Sequence, residues 1–381
     1  MNILITQELL SAGSALPVIN HDPLPRYAMA NLDYGMTIGI AVTKSGRKFA
    51  CWVGGGDNSK AFFLLSFQDP GRPWSEAILV IDPHDDKLPL DRCTIVGTLW
   101  VDPMGRLWLF FNQTLQHFDG RSSNWYIRCD DPDAEKPLWT EPVYISYGCT
   151  LNKPTVLDSG EWLLPVSLWA RHHIVEPFTD CYRDLDDERM AHVFVSTDQG
   201  ETWTHRGGVV FPETAFDEHM IVQRRDDSLW MIGRTHSMLM ESFSNDNGRT
   251  WSKAAASPIV TVCSRTHLRR LKSGNLLLVK HGEHIDISPG KRSELTAFIS
   301  KDDGKTWSQG FVLDERHAVS YPDSDQDENG VIYITYDRER DLRGEILMAT
   351  LREEDILGGK LATPGARLKE VIRRPGLLKE E

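Results

Sequence analysis

Apolar runs recur along this chain, and a polar turn precedes each one. They span Ser45-Gly46 to Val53, Met104-Gly105 to Phe111, Ser159-Gly160 to Leu168, Asp227-Ser228 to Gly233, Ser273-Gly274 to Val279 and Asn329-Gly330 to Tyr336. The runs are short and rich in Trp, Leu, Ile, Val, Phe and Tyr, so each predicts a β-strand entered through a tight turn. Sustained helical periodicity is hard to find. The one short helix expected lies near 352–357.

A second pattern falls between these runs. Ser196-Thr-Asp198-Gln-Gly200-Glu-Thr-Trp203, Ser244-Asn-Asp246-Asn-Gly248-Arg-Thr-Trp251 and Ser300-Lys-Asp302-Asp-Gly304-Lys-Thr-Trp307 all read Ser-x-Asp-x-Gly-x-Thr-Trp. The Asp carboxylate accepts backbone N–H groups further along and closes a turn. Glycine takes the positive φ that other residues resist. The Trp ring latches the return strand onto a neighbour. These aspartates are therefore expected to be structural. Weaker copies at 66–75 and 139–142 extend the series. Six units of about 45–70 residues, each a few short strands, predict an all-β, six-bladed β-propeller. A two-sheet sandwich leaves a repeat of this period unexplained. Residues 1–381 are read as a single domain with blades over about 35–350. Residues 1–34 drape across the ring or help close it, and 352–381 form a solvated tail.

Charge and cysteine usage narrow the partners. The formal net charge of −13 argues against nucleic acid and anionic membrane surfaces. No apolar stretch approaches the roughly 20 residues that span a bilayer. The first residues lack a basic region followed by an apolar core. Cysteines 51, 93, 129, 149, 181 and 263 show neither metal-ligand spacing nor the density of a disulfide scaffold. Reduced thiols and a cytoplasmic location are expected, with secretion after loss of a leader as the alternative. The oligomeric state is left open.

In a propeller the inner strands converge on one axis, so polar residues at their ends meet although they are distant in sequence. The Ser-x-Asp-x-Gly-x-Thr-Trp turns resemble the Asp-boxes of the sialidase (neuraminidase) superfamily, and the resemblance covers essentially the whole repeat region. It implies a propeller of sialidase type and an exo-glycosidase with a Tyr nucleophile, a Glu partner, three carboxylate-binding Arg residues and an Asp acid/base. Tyr321, in Ala318-Val-Ser-Tyr321-Pro-Asp323 and nine residues before Gly330, is similar to the nucleophile. A phenol suits the task because it stays neutral beside an anomeric carboxylate until a base takes its proton. The segment from Asp217-Glu218-His219 to Arg234 resembles the Glu-to-Arg segment of the family, giving Glu218 as the partner and Arg234 as a carboxylate ligand. Arg292, eight residues before Ser300 and adjacent to its rival Lys291, is similar to a later Arg of the triad. Asp57, in Gly54-Gly-Gly-Asp57-Asn58, lies in a loop like that of the acid/base. The resemblance implies no metal or organic cofactor.

One departure stands out. The family's first triad arginine precedes the first glycine turn, and here Tyr34-Gly-Met36-Thr-Ile-Gly39 has none. Arg26, Arg265 and Lys153 are the candidates to replace it; Lys153 starts the third inner strand, and Arg265 and His267 the fifth. His317, four residues before Tyr321, is a candidate acid or base. The charged excursion 169–190, with Arg171-His172-His173, is a candidate lid. Adjacent histidines on a strand face opposite ways, so no shared metal is expected. The expected activity is hydrolysis of terminal sialic acid or a related carboxylated sugar from a glycan. The alternatives are a lyase or glycosidase acting on uronate-containing glycans, with Tyr321 or His317 moving the proton, and a non-catalytic glycan-binding propeller.

Overall fold

Each of the six predicted runs is a strand, and each is the second strand of its own antiparallel sheet: Lys48–Gly54, Leu107–Leu115, Trp162–Ser167, Leu229–Thr235, Leu276–His281 and Ile332–Arg338. The computed structural model describes residues 4–282 and 292–377. Lys291 and the last residues of the tail, Lys379-Glu-Glu, lie outside them. The first strands of the sheets are Met36–Val42, Gly97–Val101, Thr155–Val156, Thr214–Gln223, His267–Arg270 and Val319–Gln326. These pack against one another between neighbouring sheets, so they are innermost and the sheets are the blades of a six-bladed propeller.

Alternating strand direction sorts the connections onto two faces. First strands run from one face, here the upper, to the lower, and second strands run back. The starts of first strands and the ends of second strands therefore share the upper face. The three Asp-boxes link third to fourth strands on the lower face. In each box the Asp Oδ1 accepts the Thr N–H (Thr202, Thr250, Thr306) at 2.9, 2.9 and 2.8 Å. The Ser Oγ accepts the Gly N–H at 2.7, 2.9 and 2.8 Å. A side chain on Gly200 would collide with Trp108, and one on Gly304 with Trp230, each on the preceding blade. Trp203, Trp251 and Trp307 pack into apolar clusters shared with that same blade. The boxes thus join blades as well as strands.

Among the described residues no strand is exchanged at the seam between blades one and six. Three carboxylates of blade six hold inner backbone N–H groups of blade one instead. Asp337 accepts from Thr37 at 3.1 Å, Asp323 from Ile40 at 2.9 Å and Asp325 from Val42 at 2.8 Å. The N-terminal segment adds Ile19–Asn20 to the outer edge of blade one. The short helix is present at Glu353–Gly358. The solvated tail requires correction: Arg367–Arg373 is the fourth strand of blade six, and Gly376 and Leu377 donate to the carbonyls of Met29 and Leu32. All six cysteines are free. Among the described residues no helix is long and apolar enough to cross a membrane.

Candidate active site

The first strands of blades one, four and six break register near the upper face, and the last two breaks each present one reactive side chain. Blade four's first strand bulges between Asp217 and Met220, and Glu218 has φ of +44°. Blade six's bulges between Ser320 and Asp323, and Tyr321 has φ of +52°. Left-handed backbone at Glu and Tyr is strained, and surrounding structure must hold it. The two side chains meet: the Tyr321 hydroxyl donates to Glu218 Oε1 at 2.9 Å. Both line a cavity of about 210 Å³ with Asp57, His117, Trp169 and Phe216.

Three guanidiniums surround this pair. Arg234, at the end of blade four's second strand, donates to Glu218 Oε1 at 2.8 Å. Arg292 donates to Ser320 Oγ at 2.6 Å and to the Cys263 carbonyl at 3.2 Å. Both are neutral acceptors, and no carboxylate pairs with Arg292 among the described residues. Arg340 lies 4.0 Å from the Tyr321 ring centroid and donates to Ser320 Oγ at 3.2 Å and to Asp337 Oδ1 at 2.9 Å. Its backbone carbonyl accepts the Gly35 N–H at 3.3 Å. Arg340 therefore stands beside the segment from which the expected first arginine is missing. Arg26, on the outside, bonds Tyr27 and Asp82 and is mostly exposed.

The charges are set by their neighbours. Burial pushes the Tyr321 phenol above its ordinary value and Glu218 adds to this, while Arg234 and Arg340 oppose them. The phenol is thus neutral at rest. Burial works against the charge on Arg234, but Glu218 outweighs it and holds the guanidinium protonated. Burial and then the like charge of Arg340 lower Arg292. Asp57 sits at the mouth with its side chain 49% exposed, and its Oδ1 lies 3.8 Å from His117 Nε2. Crowding there raises a carboxyl's pKa, but the His117 imidazole and the Arg340 guanidinium outweigh it, so Asp57 is held below its usual range.

The remaining candidates lie elsewhere. Lys153 and Arg265 do not enter the cavity; they belong to a buried hub on the axis. Lys153 Nζ bonds Asp323 at 2.5 Å and the carbonyls of Ile40 and Leu99, both at 2.8 Å. Arg265 bonds Asn152 and the carbonyls of Ile38 and Leu151. These donors are spent closing the ring, so neither residue replaces the missing arginine. His317 is exposed beside blade six's first strand and is joined by no hydrogen bond to Tyr321 or Glu218 among the described residues. A groove of about 360 Å³ on the lower face includes Lys153, Arg224 and Arg269, but no paired tyrosine and carboxylate. Among the described residues no cluster of three or more His, Cys, Asp or Glu side chains is placed to hold a metal.

Sequence reading missed Arg340, Ser320, Cys263 and His117. Arg340 was within reach, because it follows the sixth apolar run as Arg234 ends the fourth.

The family model described as a BNR repeat-like domain matches residues 46–334. No curated protein matches the chain significantly. The structure is similar to the Hadza microbial sialidase Hz136, at 18% identity over 85% of this chain and 66% of that one, with a TM-score of 0.62. It is similar to the NanB sialidase from Streptococcus pneumoniae, at 13% identity over 93% and 74% of the two chains, with a TM-score of 0.62. It is also similar to the intramolecular trans-sialidase from Ruminococcus gnavus, at 12% identity over 89% and 98%, with a TM-score of 0.64. At these identities the likeness bears on the fold.

Proposed function

The chain belongs to the BNR repeat-like domain family, and from that premise we propose that it is a retaining exo-glycosidase that removes a terminal carboxylated sugar, of the sialic acid type, from a glycan. The observation that carries this reading is the 2.9 Å hydrogen bond from Tyr321 to a buried Glu218, set among three guanidiniums. Neighbouring proteins of the same fold are sialidases by name, which supports the substrate class.

Arg234, Arg292 and Arg340 grip the substrate carboxylate, sharing the acceptor sites of its two oxygens among their N–H donors. Asp57 protonates the leaving oxygen. Tyr321 attacks the anomeric carbon as its phenolic proton passes to Glu218. Asp57, now ionised, takes a proton from water, which attacks the same carbon from the opposite side. The C–O(Tyr) bond breaks and Glu218 returns its proton to the phenolate, so the configuration is retained overall. Asp57 is ionised in the free protein. A bound carboxylate neutralises Arg340, removes one of the influences that lower Asp57, and so favours its protonation when an acid is needed. Elimination from uronates is less supported, because His317 is exposed and joined by no hydrogen bond to the pair among the described residues.

The test is a screen of aryl sialosides against aryl uronides, followed by Tyr321→Phe. Turnover of a sialoside with retained configuration is expected. The variant should lose more than about 100-fold in kcat while still binding the substrate. Undiminished turnover by the variant would overturn the role of Tyr321.

A further inference from the structure

The loop that carries His117 to the mouth of the cavity carries Arg121 outward, to an aromatic array on the same face. The Arg121 guanidinium lies between two rings, 4.8 Å from the Tyr147 centroid and 4.8 Å from that of Tyr182. Tyr147 meets Tyr144 edge to face at 6.1 Å, and Tyr144 meets Trp125 at 5.3 Å. Tyr147 and Tyr144 are 39% and 43% exposed, on the outermost strand of blade two, Val143–Tyr147. Their hydroxyls take no hydrogen bond among the described residues. Tyr182 comes from the long excursion of blade three, so two blades build the array.

We infer that this array is a second carbohydrate site, which takes the neutral oligosaccharide on the leaving side of the cleaved bond. The inference rests on the proposed glycosidase reading. If Asp57 protonates the leaving oxygen, the departing chain lies on the side of Asp57 and His117. His117 and Arg121 are four positions apart along the loop, at most about 14 Å, or a few sugar units. Pyranose rings present flat C–H faces edged with hydroxyls. Rigid tyrosines offer matching faces at low entropic cost, with a hydroxyl at each rim. Each ring is braced by its neighbour, so little order has to be gained on binding. Arg121 already donates to the Leu10 carbonyl and Ser14 Oγ, so its charge is anchored and it serves as a planar surface, not an anion trap.

The test uses the full chain with Tyr144→Ala and Tyr147→Ala combined. Both side chains are exposed, and an unchanged melting temperature verifies the fold. With an aryl glycoside of the carboxylated sugar, kcat/KM should be unchanged. With the same sugar on a neutral tetrasaccharide, kcat/KM should fall roughly tenfold. Separately, binding of lacto-N-tetraose and cellotetraose to Tyr321→Phe is followed by tryptophan fluorescence, and it should weaken by a similar factor when the two tyrosines are removed. Equal losses on both substrates, no loss on either, or failure of the parent to bind either tetrasaccharide would overturn the site. If tetrasaccharides bind through the tyrosines but no carboxylated glycoside is turned over, the array stands and the glycosidase reading falls.

Discussion

Arg340 and Arg338 lie two positions apart beyond the same apolar run, and only the first reaches Tyr321. Arg338 pairs with Glu339 and Glu345 on the outer side. Alternation along a strand puts both on one face, so the choice between them depends on the turn that follows, and residue type alone cannot make it. Arg340→Ala should raise KM for a carboxylated glycoside about 10- to 100-fold, the worth of a charge-assisted hydrogen bond. Arg340→Lys should recover little, since an ammonium lacks the planar fork. Arg340→Ala also removes one of the charges that lower Asp57, so Asp57 stays protonated to higher pH. The basic limb of kcat/KM should then move up in pH. An unaltered KM would exclude Arg340 from the carboxylate grip.

At the scale of elements, the strands and boxes were legible because their signals are local. A turn residue, a run of apolar side chains and a fixed spacing to Trp all act within ten residues. Arg367–Arg373 was not legible: as an outer strand it buries only Ile372, so its polar character read as a tail. The boxes also carry a measurable acid sensitivity. Hydrogen bonds from Thr250 and Thr306 hold Asp246 and Asp302 at about 2, against an ordinary 3.8. A carboxyl with a depressed folded pKa stabilises the fold above its unfolded value and loses that contribution as pH falls from about 4 through 2. Asp246→Asn with Asp302→Asn should lower the melting temperature at pH 7 and make it less dependent on pH in that window. An equally steep acid decline in the double variant would place the sensitivity elsewhere.

Ring closure explains the candidates that sequence spacing misplaced. Tyr321, Glu218, Arg234 and Arg292 lie at positions matched by spacing within single blades, and the structure brings them together. Lys153 and Arg265 also start inner strands, but how deep a side chain sits along the axis depends on all six blades closing at once. Asp323 draws both inward: Lys153 bonds it, Arg265 lies 3.8 Å away, and it caps the Ile40 N–H. Removing one partner from so buried a group leaves an uncompensated charge, so the hub constrains every blade it touches.

Asp337 faces both ways at the seam: its Oδ2 accepts from the Thr37 amide and from Arg340 Nη2, and its Oδ1 from Arg340 Nε. A ligand that anchors Arg340 therefore also rivets blade six to blade one, and breathing at this joint becomes a reporter of occupancy. Deuterium uptake at the Thr37 amide should slow when a carboxylated inhibitor is added, and remain unaffected by the same ligand in Asp337→Asn. Uptake indifferent to the inhibitor in the parent protein would mean that the joint and the pocket move independently.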